Sequence, residues 1–164
     1  MKSRIIFSLA AAFALASSFN SFGNERNATA TVSLERTIAN NSDKAYQQYV
    51  LLDNALTKDD AITAQKAAVK LADALKDIPE SADAMKAALA ISKTKNIANQ
   101  RESFASLSLS IIKLLKAHKP DNAMPYIHYC PMKKAYWLSN SEKIQNPYYG
   151  KSMPSCGKTI GMIM

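Results

Sequence analysis

From Ser42 to His118 apolar residues recur at spacings of three and four, the pattern that lines one face of an α-helix. The clearest case runs from about Lys58 to Asp77, where Ala61, Ala64, Ala68, Leu71, Leu75 and Ile78 form a seam. Thr57 stands at its N-cap, Asp59 and Asp60 occupy the first turn at the positive end of the dipole, and Pro79 stops it. Before it, the pattern predicts a helix from Ser42 through Leu56 that buries Tyr46, Tyr49, Val50 and Leu56. After it, Ser81 caps an alanine-rich helix carrying Met85, Leu89 and Ile91. A fourth helix buries Phe104, Leu107, Ile111, Leu114 and Leu115, with the preceding break at Asn96 to Asn99. It ends on Lys116, His118 and Lys119, cations suited to the negative dipole end, before Pro120.

Residues 42–119 therefore read as an antiparallel four-helix bundle, and the chain as all-α in class. Ala64, Ala67, Ala68, Ala72 and Ala74 leave little bulk between helices, so the bundle reads as scaffold with no cofactor cavity. Paired Glu-x-x-His sets of the di-iron kind are absent.

Periodicity ends at Pro120. Residues 121–164 hold four of the six prolines, three of the four glycines and five of the seven tyrosines. The segment 120–164 is expected to be an irregular, aromatic appendage packed on the bundle, with short strands at Tyr126–Tyr129 and Ala135–Leu138. Within it, 144–150 (IQNPYYG) is a turn module. Asn146 bonds the backbone ahead, Pro147 pre-sets its φ, and Gly150 takes a left-handed conformation.

The other end changes the compartment. Lys2 and Arg4 precede an apolar run from Ile5 to Ala16, with small residues at Ala14 and Ala16 and a second option at Ser21-Phe22-Gly23. This pattern predicts a signal peptide over residues 1–23, cleaved near 16 or 23. Its apolar run is shorter than the roughly 20 residues that span a bilayer. No cysteine lies beside either site, so no lipid anchor is expected. Residues 24–41 are polar and aperiodic and read as a flexible lead-in. The expectation is a periplasmic or secreted protein without membrane insertion. Loss of Lys2 and Arg4 lowers the formal charge from +8 to +6. The remaining lysines are interspersed with acids, the mark of a solvated face, and export excludes a nucleic-acid partner.

Export also reframes Cys130 and Cys156, the only cysteines, because disulfides persist outside the cytoplasm. His128, Cys130 and Met132 fall at alternate positions, so in an extended chain imidazole, thiol and thioether share one face. Met153 and Cys156 supply two more soft donors, with Met162 and Met164 as outer candidates. Thiolate and thioether suit Cu(I), and imidazole is compatible with it. The same cysteines also fit a plain disulfide clamp, methionine is a common core filler, and a lone histidine is more often structural. Blue-copper and zinc spacings are absent, as are a phosphate loop and a catalytic triad, so no enzyme is expected. The residues alone leave the metal site and the disulfide open, with thiol redox chemistry a third reading.

Arg101-x-x-Phe104-x-x-Leu107-Ser108, Cys130-Pro131-Met132, Trp137, Asn146-Pro147-Tyr148-Tyr149-Gly150, Met153 and Cys156-Gly157 resemble an exported bacterial domain of unknown function, numbered 3347. Its members occur alone or at the carboxyl end of periplasmic adaptor subunits of copper/silver efflux pumps. The resemblance spans roughly Tyr46 to the end. It implies a periplasmic helical domain in heavy-metal handling, with Cu(I) or Ag(I) as the ion and an efflux adaptor or pump component as partner. Cys130-Pro131-Met132 is also similar to a triplet in small heavy-metal modules, where a histidine commonly follows in place of Lys133. With the resemblance, His128, Cys130, Met132, Met153 and Cys156 are expected to bind the metal. The alternative is an interaction module with a Cys130–Cys156 disulfide.

Overall fold

The structure, a computed structural model, describes residues 23–164, with side chains from Ala30 onward. The leader expected at the start of the chain, Gly23 apart, lies outside the described residues. Four helices follow: α1 (Gly23–Thr57), α2 (Ala61–Ala74), α3 (Ala82–Ser92) and α4 (Ile97–Ala117). Among the described residues no helix is long and apolar enough to cross a membrane.

Helix α1 has 35 residues and is about 52 Å long at 1.5 Å per residue. It takes in 24–41, so that stretch is helical rather than irregular. No proline or glycine interrupts 24–57, and a helix anchored by buried residues extends upstream at the cost of one ordered residue per added bond. Residues 30–37 are exposed, and tertiary burial begins near Ile38. Beyond Ser42 the inward face carries Ala45, Tyr46, Tyr49, Leu52 and Leu56.

The cap of α2 falls three residues later than expected. Asp60, not Thr57, accepts the Thr63 N–H, at 2.9 Å, and Asp59 sits in the left-handed region at φ 61°. Ser81 stands at the start of α3, but its hydroxyl bonds Leu75 O instead of the helix it precedes. Leu89 of α3 is exposed. Asn96 caps α4 through Ala98 and Asn99, inside the expected break.

The all-α expectation is overturned by a three-stranded antiparallel sheet: β1 (Tyr126–Cys130), β2 (Ala135–Ser139) and β3 (Lys158–Met162), in the order β2-β1-β3. The first two strands form where short strands were expected, each one residue longer. The third carries Gly161 and a weak pattern, and it exists because β1 offers it an edge. Tyr126 faces Ser139 on one side and Met162 on the other. Between Ile127 and His128 the β1–β3 register shifts by a bulge, so Thr159 rather than Ile160 lies opposite His128.

Trp137 and Leu138 are adjacent, point to opposite faces, and are both fully buried, so both sides of β2 are covered. At the edge of β2 not paired with β1, Leu138 N–H donates to Tyr49 Oη at 3.1 Å, and that oxygen lies 2.7 Å from Ser108 Oγ. A ladder of rings runs from Tyr49 through Phe104 and Tyr148 to Trp137, with centroids 5.3, 5.8 and 6.0 Å apart. Tyr148 Oη donates to Tyr136 O. Arg101 ties the junction down. Its Nε donates to Pro147 O and its Nη2 to Leu56 O, each at 2.8 Å, and Nη2 also meets the Asp59 carboxylate. That contact holds the Asp59 carboxyl below its usual range. Gly150, at φ +52°, passes so close that a Cβ would lie 2.1 Å from Asp59 Oδ1. The motif joining Arg101 to Gly150 is the seam between bundle and tail.

One core group is anomalous. Asp53 is buried in α1 with Oδ1 unpartnered, and burial pushes its carboxyl pKa well up. Its charge bears on Tyr46, Tyr49 and Tyr148.

Candidate functional site

Of the five residues expected to gather, the two cysteines meet. Cys130 ends β1 opposite Ala135, fully buried, and Cys156 lies half-buried in the loop entering β3. Their sulfurs are 4.0 Å apart and both thiols are free. Cys130 Sγ also accepts the Lys133 N–H at 3.4 Å.

The approach depends on the neighbour of Cys156. A Cβ on Gly157 would lie 2.6 Å from Trp137 Cη2, and its φ is +149°. Only glycine lets the loop settle onto the indole in this conformation, and the settled loop brings Cys156 over the end of β1. Burial, and then the bond and charge of Cys130, raise the Cys156 thiol pKa. At neutral pH the Cys156 thiol is therefore protonated and weakly nucleophilic.

His128 is as buried as Cys130 and follows the expected alternation, but its ring nitrogens have other partners. Nε2 donates to Ser141 O at 3.1 Å and lies 2.8 Å from Ser139 Oγ, while Nδ1 faces Thr159 Oγ1 at 3.0 Å. Nε2 facing a carbonyl oxygen sets the tautomer. Burial lowers its pKa, opposed by the Ser141 bond and the Glu142 charge. The imidazole is a neutral strut under Trp137, whose ring centroid is 4.9 Å away.

Met132 lies past the end of β1, in the turn to β2, 60 % exposed, so the alternation that was to align it stops at Cys130. Met153 is half-buried at the end of a single 3-10 turn, Gly150–Ser152, and its carbonyl accepts the Cys156 N–H at 3.3 Å. Met162 is in β3 and Met164 is exposed. Among the described residues no group of three or more His, Cys, Asp or Glu is placed to hold a metal ion. The soft-donor set that the fold assembles is a thiol pair, with thioethers on the flanking segments. Thr159 and Ser141, which engage His128, were missed from the sequence because the bulge and the loop return that bring them there carry no local signal.

Fold and site together define a helical bundle with an appended antiparallel sheet, whose covering loop closes two thiols against each other. Residues 45–123 match the family model described as "Protein of unknown function (DUF3347)". The resemblance drawn from the sequence holds over that stretch, which takes in Arg101, Phe104, Leu107 and Ser108. It ends three residues before β1, so the match does not reach the end of the chain as expected, and the sheet and both cysteines lie outside it. No curated protein and no solved structure matches the chain.

Proposed function

We propose that this chain is a non-enzymatic binding protein for a soft monovalent ion, Cu(I) or Ag(I), which Cys130 and Cys156 hold as paired thiolates. In this reading it acts in the periplasm, buffering the ion or passing it to a heavy-metal efflux adaptor or pump. The supporting observation is the 4.0 Å sulfur separation, since two donors that close both reach one ion through bonds of about 2.3 Å. Thiolates select soft ions over hard ones. Met153 and Met132, flanking the two cysteines, are the remaining soft donors, and His128 supports the sheet instead of ligating. Binding displaces thiol protons, so affinity rises with pH. A catalytic thiol reading lacks support, because Cys156 has a raised pKa and the nearby imidazole is engaged on both nitrogens.

The same distance favours a second reading, an interaction module locked by a Cys130–Cys156 disulfide. A bridge between residues 26 apart would stabilise the fold by about 3–4 kcal/mol on the chain-entropy model. Native mass spectrometry with free-thiol counting, on protein purified with and without Cu(I), separates the two. A one-copper adduct lost in Cys130→Ser supports the binding protein. A permanent bridge with no added metal mass refutes it in favour of the module.

A further inference from the structure

We infer that Asn146 is the positioning residue of the thiol pair, setting where Cys156 stands relative to Cys130; this rests on the reading of the pair as the functional site. Asn146 is fully buried, and its hydrogen bonds go to backbone groups. Its backbone N–H donates to Pro154 O at 2.8 Å, and its Nδ2 donates to Cys156 O at 2.5 Å. On the other side its Oδ1 accepts the Tyr148 N–H, and its carbonyl accepts the Gly150 N–H at 2.9 Å. One residue thus stitches the 146–150 turn to the 154–156 segment by two bonds on each side.

The turn is itself anchored to α4 through Arg101 and Pro147 O. Cys130, by contrast, is placed by β1. Cys156 therefore stands between two frames, the sheet it enters at Lys158 and the turn, and Asn146 joins the turn to Cys156. The cysteine's other backbone tie, to Met153 O at 3.3 Å, stays within its own loop, and toward the sheet the chain is held by Gly157 against Trp137 and by Lys158 opposite Tyr129. The chemistry requires asparagine. The side chain must donate toward Cys156 and accept from Tyr148 at once, two roles that a carboxylate cannot fill.

The test uses thiol–disulfide exchange with glutathione, without metal. Cys130 and Cys156 lose two electrons and two protons to form one S–S bond, and one glutathione disulfide is reduced to two glutathione thiols. The equilibrium constant reads how well the protein holds its thiols together. Asn146→Asp keeps the acceptor for Tyr148 and removes the donor to Cys156, while Asn146→Ala removes both. In each, the constant is expected to fall about tenfold, the effect of one lost buried hydrogen bond, while the far-UV dichroism stays native. At acidic pH, where the introduced carboxyl of Asn146→Asp is protonated and donates again, that variant returns toward wild type and Asn146→Ala does not. An unchanged constant in either folded variant overturns the assignment. If both variants fail to fold, the wild-type Asn146 side-chain amide decides by NMR. Slow hydrogen exchange and a shift when glutathione disulfide closes the pair support the role; a fast-exchanging amide that does not respond refutes it. Should wild type take up no Cu(I), the metal reading fails while the exchange result stands.

Discussion

Replacing Arg101 with alanine probes the junction on which the tail depends. Three contacts are lost: two to carbonyl oxygens, Pro147 and Leu56, and one to the Asp59 carboxylate. Hydrogen bonds from a charged donor contribute about 1.5–3 kcal/mol each. The carboxylate contact counts for less, because the Asp59 side chain is 35 % exposed and solvent screens it. Taking the low end for the two carbonyls and little for the carboxylate gives a loss of about 3 kcal/mol, or roughly 10 °C in melting temperature for a domain of this size. The chain offers two separate reporters. Trp137, the one tryptophan, sits in the sheet, whereas far-UV circular dichroism is dominated by the helices. Urea unfolding of Arg101→Ala should show the Trp137 emission transition moving to lower urea by more than the helical transition does. Wild type should show the two closer together. Both midpoints staying within about 0.5 kcal/mol of wild type, the range of an ordinary surface substitution, would refute the claim that Arg101 holds tail to bundle.

Three further outcomes follow from the same geometry. Gly150→Ala drives a Cβ into Asp59 and Arg101 from a left-handed backbone and should destabilise by about 2–4 kcal/mol in urea titration, less in an Arg101→Ala background because the two sites share a contact. Asp53 has a raised folded pKa, so the folded state binds more protons than the unfolded one and stability falls as pH rises above the ordinary carboxyl range. Asp53→Asn should flatten that slope and be more stable than wild type at neutral pH by about 1–3 kcal/mol, an advantage that shrinks toward pH 4; an unchanged slope counts against the buried acid. Cys130→Ala removes two of the three causes that raise the Cys156 thiol pKa, leaving burial, so alkylation of Cys156 by iodoacetamide at pH 8 should quicken about two- to fivefold, and an equal or slower rate would contradict the thiol pairing.

The bundle was legible because a helix reports its buried face locally. Tyr46, Tyr49, Leu71, Phe104 and Ile111 each recur at spacings that a single segment displays, and each is buried in the structure. Caps were less legible, since Thr57, Asp59 and Asp60 all have side chains able to cap. The choice fell to Asp60 because α1 continues through Thr57 and Asp59 turns left-handed beside Arg101. The strands β1 and β2 were expected in the aromatic part of the tail, around Tyr126, Tyr129, Tyr136 and Trp137. The strand β3 was not, because Lys158–Met162 is largely exposed and is held by the backbone of β1 more than by its own side chains.

The sequence by itself named both cysteines and the turn that had to return one toward the other, since residue type and turn chemistry are local properties. It also offered five soft or nitrogen donors, His128, Cys130, Met132, Met153 and Cys156, on two separate segments. Only the tertiary structure placed them relative to one another. A bulge in β1–β3 placed Thr159 under His128 and occupied the imidazole, the end of β1 left Met132 in a turn, and the contact of Gly157 with Trp137 brought Cys156 within 4.0 Å of Cys130. The first and last of those decisions arise from contacts between residues 20 or more apart in sequence, which no spacing along one segment records.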